Sequence, residues 1–298
     1  MARTIHGVAV DAGSGLEASI RDVRGAKARP DDLVTFKRAV LESLGPYAST
    51  VLLDANTGPE LLGNYPPTCA PMLAYEADVY HISGDDRITV LPDNFGIDDY
   101  PGMGVSQLKF FMYYAPDDDA GLNARKQDLI AKIGQHCHKI GIRYLFEPLV
   151  YHPTLTPGTR DYALAKPDLV RRATETFADP RFHADVLKVE VPVDLNFVVG
   201  FGERVMSRAE ALQAFRDAAA PAVNCELVYL SAGVPFDHFE ASLRMAGEAG
   251  VAFNGFMCGR AIWSDAVGIF GQSGEAALRT WLGDTGRDRL NKLIAALG

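Results

Sequence analysis

The chain has 298 residues, 48% of them hydrophobic and 22% charged, with a formal net charge of −9. That composition supplies a large core, and an acidic balance with no basic block argues against nucleic acid or an anionic membrane surface as partners. No apolar stretch of signal-peptide or membrane-span length is present, so a cytoplasmic protein is expected.

Short β-rich runs alternate with helical patterns from end to end. In chain order the spacing predicts strands at Gly7–Asp11, Thr50–Asp54, Met72–Glu76, Leu108–Tyr114, Tyr144–Val150, Val186–Val191, Leu227–Ser231 and Phe253–Cys258. Between them, helices are expected over Asp31–Leu44, with Leu33, Phe36, Val40 and Leu44 on one stripe, and over Leu122–Ile140. A third is expected over Lys166–Phe177, with Pro167 in its first turn. Ser207–Ala219 opens on a capping-box pattern, Pro235–Ala249 stops at Gly250, and Trp281 with Asp288–Leu297 closes the chain in helix. Tyr80–Met103, rich in Asp, Pro and Gly, reads as a loop carrying at most a short helix. Eight strands alternating with helices in this length favour a single (β/α)8 TIM barrel over residues 1–298. An open doubly wound sheet is the rival, but Gly13-Ser14-Gly15 does not continue as a dinucleotide-binding turn.

The four cysteines are scattered and are expected to be reduced and unpaired. His136-Cys137-His138 has a metal-like composition, but adjacent helical residues point to different faces, so no metal site is expected there.

The most informative residue is Lys188, set in the apolar run Asp-Val-Leu-Lys-Val-Glu-Val-Pro-Val (185–193). Burial disfavours a charged amine, and a neutral amine can attack a ketone to form a Schiff base. Asp11, Glu76, Lys109 and Glu147 are further ionisable residues on otherwise apolar strands. Such groups either pair as a core network or form an active site, and the set of five raises the odds of the second. On the functional reading Lys188 is the nucleophile, Lys109 a neighbouring cation, Glu147 the proton shuttle, and Asp11 the partner of a substrate hydroxyl or a lysine. Ser231-Ala232-Gly233 and Gly259-Arg260 follow the last two strands, where barrel enzymes commonly bind phosphate; small residues open backbone N–H groups and Arg260 adds a cation.

Four segments together resemble a known family: Asp185–Pro192 around Lys188, Tyr229-Leu-Ser-Ala-Gly-Val234, Phe253-Asn-Gly with Cys258-Gly-Arg-Ala-x-Trp263, and Leu108-Lys-Phe-Phe-Met-Tyr-Tyr114. They look like class I tagatose-1,6-bisphosphate aldolases, and the lysine and Gly-Arg-Ala elements are shared with sulfofructosephosphate aldolases. The resemblance runs from about Gly7 to the C-terminal helix and implies a (β/α)8 barrel that cleaves a phosphorylated ketose through a Schiff base. It places Lys188 on the Schiff-base lysine, Glu147 on the acid/base carboxylate, Lys109 on a second active-site lysine and Asp11 on a strand-one aspartate. Ser231, Gly233, Gly259 and Arg260 match phosphate-binding loops. The implied chemistry requires no metal or other cofactor.

The chain departs from that pattern after strand one, where Asp11-Ala12-Gly13 stands in place of Asp-Gln-Arg, and Pro148 follows Glu147. Loss of the arginine weakens the expectation of a second anionic group, so sulfofructose 1-phosphate or a deoxy-ketogluconate phosphate stays open as substrate. A non-catalytic sugar-phosphate-binding barrel is the reading from outside the enzymes. Oligomeric state is left open.

Overall fold

In the computed structural model, which describes residues 4–78, 82, 83 and 85–298, eight parallel strands close into a barrel. They are β1 (Ile5–Val10), β2 (Thr50–Leu53), β3 (Ala70–Ala74), β4 (Gln107–Tyr114), β5 (Arg143–Val150), β6 (Val186–Glu190), β7 (Glu226–Leu230) and β8 (Gly255–Cys258). Each pairs with its sequence neighbours, and β8 closes on β1 through Ile5 opposite Gly255 and Val8 opposite Cys258. The eight-stranded barrel expected from the alternating pattern is therefore the observed fold.

Strand alternation sorts the side chains into two layers. On β4, Leu108, Phe110, Met112 and Tyr114 join the large apolar layer under the helices, whereas Lys109 points inward. On β6, Leu187 and Val189 pack outward, while Val186 shares the inner cluster with Ile5, Ala9, Leu52, Met72, Ala74, Leu145, Val228 and Met257. This inner plug fills the barrel as a packed core rather than a pore. At roughly 1.5–3 kcal/mol per large buried aliphatic side chain, it fixes strand register, because a slip by one residue would turn the plug outward.

The helical layer comprises α1 (Ser14–Arg24), α2 (Asp32–Leu44), α3 (Ala120–Ile140), α4 (Arg160–Phe177), α5 (Arg208–Ala219), α6 (Phe236–Glu248), α7 (Ala266–Trp281) and α8 (Arg287–Ala295). Asp119 caps α3 by accepting from the Leu122 N–H at 2.8 Å, and Gly141 ends it in a left-handed conformation. Ser207 and Glu210 form the expected reciprocal capping box on α5.

Three differences from the sequence expectations have local causes. Helix α1 starts at Ser14, within the glycine cluster, because Asp78 from the loop after β3 accepts from the Ser14 N–H at 2.7 Å. Helix α4 begins at Arg160 rather than Lys166, capped by Thr159, so Pro167 lies inside it instead of in its first turn. The stretch after β3 contains a two-stranded antiparallel hairpin, Ile82–Ser83 with Ile88–Thr89, and a single 3-10 turn at Ile97–Asp99. Within the stretch read as a loop, Tyr80, His81 and Gly84 lie outside the described residues. Where a crossover helix would cover β3, the ring of Tyr100 fills the space against Tyr75 and Phe95, at 6.3 and 5.6 Å between centroids.

Candidate active site

Five ionisable side chains meet at the C-terminal end of the barrel, directly above the apolar plug. Lys188 extends from β6 and places its Nζ 2.9 Å from Glu147 Oε2 on β5. The same Glu147 oxygen lies 3.0 Å from Lys109 Nζ, which comes from β4. Lys109 also donates to Asp11 Oδ2, just past β1, at 3.0 Å, and to Glu76 Oε1, just past β3. Lys188, Lys109, Glu147 and Glu76 are all at most 6% exposed. The register explains the convergence: Lys109 aligns with Leu145 and Glu147 with Phe111, so inward positions of neighbouring strands stack at one height.

Burial at this density shifts the acids in opposite directions. For Asp11, burial pushes the carboxyl up, but the ammonium groups of Lys109 and Lys188 outweigh it and hold the group at about 2, below its usual 3.8. For Glu76 burial wins against Lys109, and with Asp11 and Glu147 adding repulsion the carboxyl rises from 4.5 to about 7. Burial disfavours the Lys109 ammonium, yet Glu147, Glu76 and Asp11 together hold its pKa well above the usual lysine range. The cluster thus contains a firmly charged lysine, an ionised aspartate and a glutamic acid that takes up a proton near neutrality.

A cavity of about 310 Å³ opens onto these groups. Asp11, Lys109, Glu147 and Lys188 line its floor. Ser231, Ala232, Gly233, Gly259 and Arg260 line one wall; Ala12, Tyr113 and Leu149 also border it. Every residue given a catalytic or phosphate-binding role from the sequence therefore lines this one cavity, while Glu76, the fifth of the ionisable set, lies behind Lys109. Ala232 and Gly233 are consecutive left-handed residues, φ 49° and 81°, which turn the backbone after β7 into a tight bend. A Cβ at Gly233 would come within 3.0 Å of the Arg260 guanidinium, so glycine lets that side chain lie flat along the turn. Arg260 is exposed and makes no ion pair with any described residue. The Trp263 indole N–H donates to the Ala9 carbonyl at 2.8 Å and ties the turn after β8 to β1.

The unusual Asp11-Ala12-Gly13 run has a structural counterpart. A Cβ at Gly13 would lie 2.5 Å from Asp78 Oδ2, the oxygen that accepts from the Ser14 N–H. The start of α1 thus belongs to a buried carboxylate of the chain itself. Sequence reasoning gave no role to Asp78, Tyr113 or Leu149; Tyr113 and Leu149 stand on the strands of Lys109 and Glu147, but only the closed barrel shows that they border the cavity. The His136-Cys137-His138 residues diverge as expected: His136 meets Asp98 at 2.8 Å, Cys137 is buried, and His138 stacks on His183.

Comparison with known proteins gives consistent results. The model of the DeoC/LacD family aldolases matches residues 6–265. The chain is 38% identical over 265 residues to tagatose 1,6-diphosphate aldolase of Staphylococcus aureus strains JH9 and Newman, covering 87% of this chain and 81% of that protein. Among solved structures, a Schiff-base-forming fructose-1,6-bisphosphate aldolase superposes with TM-score 0.58 at 15% identity, over 94% of this chain and 92% of that one. Fructose-bisphosphate aldolase from Plasmodium falciparum gives 0.69 at 12% identity, over 98% and 91%. At these identities the structural neighbours bear on the fold alone.

Proposed function

Because the chain belongs to the DeoC/LacD family of aldolases, as a class I enzyme, we propose that it catalyses reversible aldol cleavage of a phosphorylated ketose through an iminium on Lys188. The observation that carries this reading is the 2.9 Å contact between Lys188 Nζ and Glu147 Oε2 on the floor of an open cavity. The carboxylate is placed to take a proton from the ammonium, and the amine that results attacks the C2 carbonyl to give a carbinolamine. Glu147 then returns the proton to the departing hydroxyl, water leaves, and the iminium forms. Glu147, a carboxylate again once water has left, takes the proton of the C4 hydroxyl as the C3–C4 bond breaks, and the electron pair of that bond moves onto C3 and the iminium nitrogen. The aldehyde departs and an enamine remains. Protonation at C3 and hydrolysis release dihydroxyacetone phosphate and regenerate Lys188.

The wall opposite the chemistry supports a phosphate at the C1 end. Among the residues lining the cavity the cations are Lys109, Lys188 and Arg260, and only Arg260 lacks a carboxylate partner. Its guanidinium, the Ser231 hydroxyl and the left-handed turn at Ala232-Gly233 offer donors to a dianion. Ala12, Tyr113 and Leu149 would face the part of the ketose that leaves as the aldehyde.

Reduction with borohydride in the presence of dihydroxyacetone phosphate tests the reading. A stable mass adduct on the peptide containing Lys188 is expected; its absence at saturating ligand would overturn the proposal. A panel of ketose 1-phosphates and 1,6-bisphosphates, followed by aldehyde release, then identifies the substrate.

A further inference from the structure

We infer that Glu76 is a positioning residue of this site: a buried carboxylic acid, neutral while the enzyme turns over, that stands behind Lys109 and sets the charge against which Lys188 exchanges its proton. The inference rests on the Schiff-base reaction proposed above.

Glu76 is 2% exposed and does not line the cavity, so it does not touch substrate. It acts through a series of contacts: Glu76 Oε1 to Lys109, Lys109 to Glu147 Oε2, and that oxygen to Lys188. Its other oxygen, Oε2, is buried and has no hydrogen-bond partner among the described residues. A carboxylate oxygen in that position would lose its hydration without compensation, whereas a neutral carboxyl is far less penalised.

The charge count leads to the same protonation state. With Asp11, Glu76 and Glu147 ionised and Lys109 and Lys188 protonated, three negative charges face two positive ones. One proton on the cluster restores neutrality. Asp11 is held ionised by both lysines and Glu147 bridges them both, while Glu76 touches only Lys109. The groups facing Glu76 are Lys109 from β4, Asp11 past β1 and Glu147 from β5; at longer range its charge helps to raise the buried phenols of Tyr100 and Tyr144. Tyr100 donates its hydroxyl to the Leu73 and Ala74 carbonyls at 3.3 Å. The upward displacement of Glu76 to about 7 agrees with this assignment.

A neutral Glu76 keeps the cluster balanced whenever nitrogen 188 is positive, first as the ammonium and later as the iminium. An ionised Glu76 adds a buried negative charge three contacts away, beyond Lys109 and Glu147. That charge favours the Lys188 ammonium over the free amine and slows attack on the ketone. Activity is therefore expected to fall as pH rises through the ionisation of Glu76.

The test follows kcat/KM and borohydride trapping on Lys188 between about pH 5 and 9 in the wild-type chain and in Glu76→Gln, each normalised to its own acid plateau. The wild-type profile should fall near neutrality, and in the variant that fall should move at least about one unit to higher pH, a tenfold gain at a fixed alkaline pH. Superimposable profiles, with the Lys188 adduct still formed, overturn the inference and leave the proposed reaction standing. No adduct at any pH in either chain overturns the reaction itself, and the inference with it. If Glu76→Gln does not fold, carbon-13 NMR of glutamate carboxyls decides, using Glu190→Gln to remove the other glutamate whose burial raises its pKa. One carboxyl titrating near neutrality supports the inference, and a full set ionised in mild acid overturns it.

Discussion

Among the described residues, two buried lysine–carboxylate clusters are built on different plans. In the first, Lys37 on α2 donates to Asp54 Oδ2 just past β2, and both are at most 4% exposed. Thr57 Oγ1 donates to the same oxygen at 2.6 Å, while the N–H groups of Asn56 and Thr57 donate to Oδ1 at 2.9 Å each. One cation meets one anion, and both carboxylate oxygens are satisfied. In the second, at the barrel mouth, acids outnumber lysines, Lys109 and Lys188 share Glu147 Oε2, and Glu76 Oε2 has no partner among the described residues. Both clusters are expensive to desolvate. The first offsets that cost with complete pairing and holds a crossover in place. The second leaves protons with more than one place to go, which is what proton-transfer chemistry needs.

The largest effects should separate the two clusters cleanly. Lys188→Met removes the amine from the mouth, so turnover should drop by about 10⁴-fold or more and borohydride trapping should vanish. The thermal midpoint should change little, because Lys109 still neutralises Glu147. Lys37→Met should do the reverse. It leaves Asp54 buried without its cation at a cost of about 3–5 kcal/mol in folding stability, while kcat per folded molecule is retained. Denaturant unfolding paired with active-site titration checks both, and a Lys37 variant that folds normally but does not turn over would break the contrast.

A smaller effect tests the wall rather than the floor. Arg260→Ala should raise KM for a ketose 1-phosphate by about 10- to 100-fold, the range for losing a charge-assisted hydrogen bond, with kcat changed far less. An equal loss in kcat would mean that Arg260 acts on the bond-breaking step instead of on the phosphate.

The difference between the clusters also explains what the sequence could and could not reveal. Lys188, Lys109, Glu147 and Asp11 are legible because each interrupts an apolar run, and strand alternation then sends them all inward. The turns at Ser231–Gly233 and Gly259–Arg260 are legible because small residues follow strands seven and eight of an expected barrel. Glu76 follows an apolar run in the same way, but nothing local says that its second oxygen finds no partner among the described residues; that depends on what β4 and β5 place around it. Asp78 is less visible still, since its partner, the Ser14 N–H, lies 64 residues away. Helix α4 starts after Thr159, eight positions before the Pro167 that resembles a helix-start residue, because the Thr159 side chain accepts from the Tyr162 N–H. Tertiary contacts decided the first two of these, and a local side-chain cap decided the third.

The smallest effect concerns acid stability and tests whether the mouth cluster contributes to folding at all. The Asp11 carboxyl is held at about 2 in the folded chain against an ordinary 3.8, because the two lysines outweigh its burial. Its folded pKa is depressed, so its stabilising contribution is fully present above pH 3.8 and is lost as pH falls toward 2. Asp11→Asn should remove this acid-labile part, worth about 2 kcal/mol, and flatten that segment of the stability profile. Glu76 has the opposite sign: raised from 4.5 to about 7, its contribution is complete below 4.5 and is lost as pH rises toward 7. Unfolding free energies across both windows should thus show Asp11→Asn altering the acid one and Glu76→Gln the near-neutral one. If a single variant altered both, the two acids would share one proton rather than divide the roles of fixed charge and neutral acid.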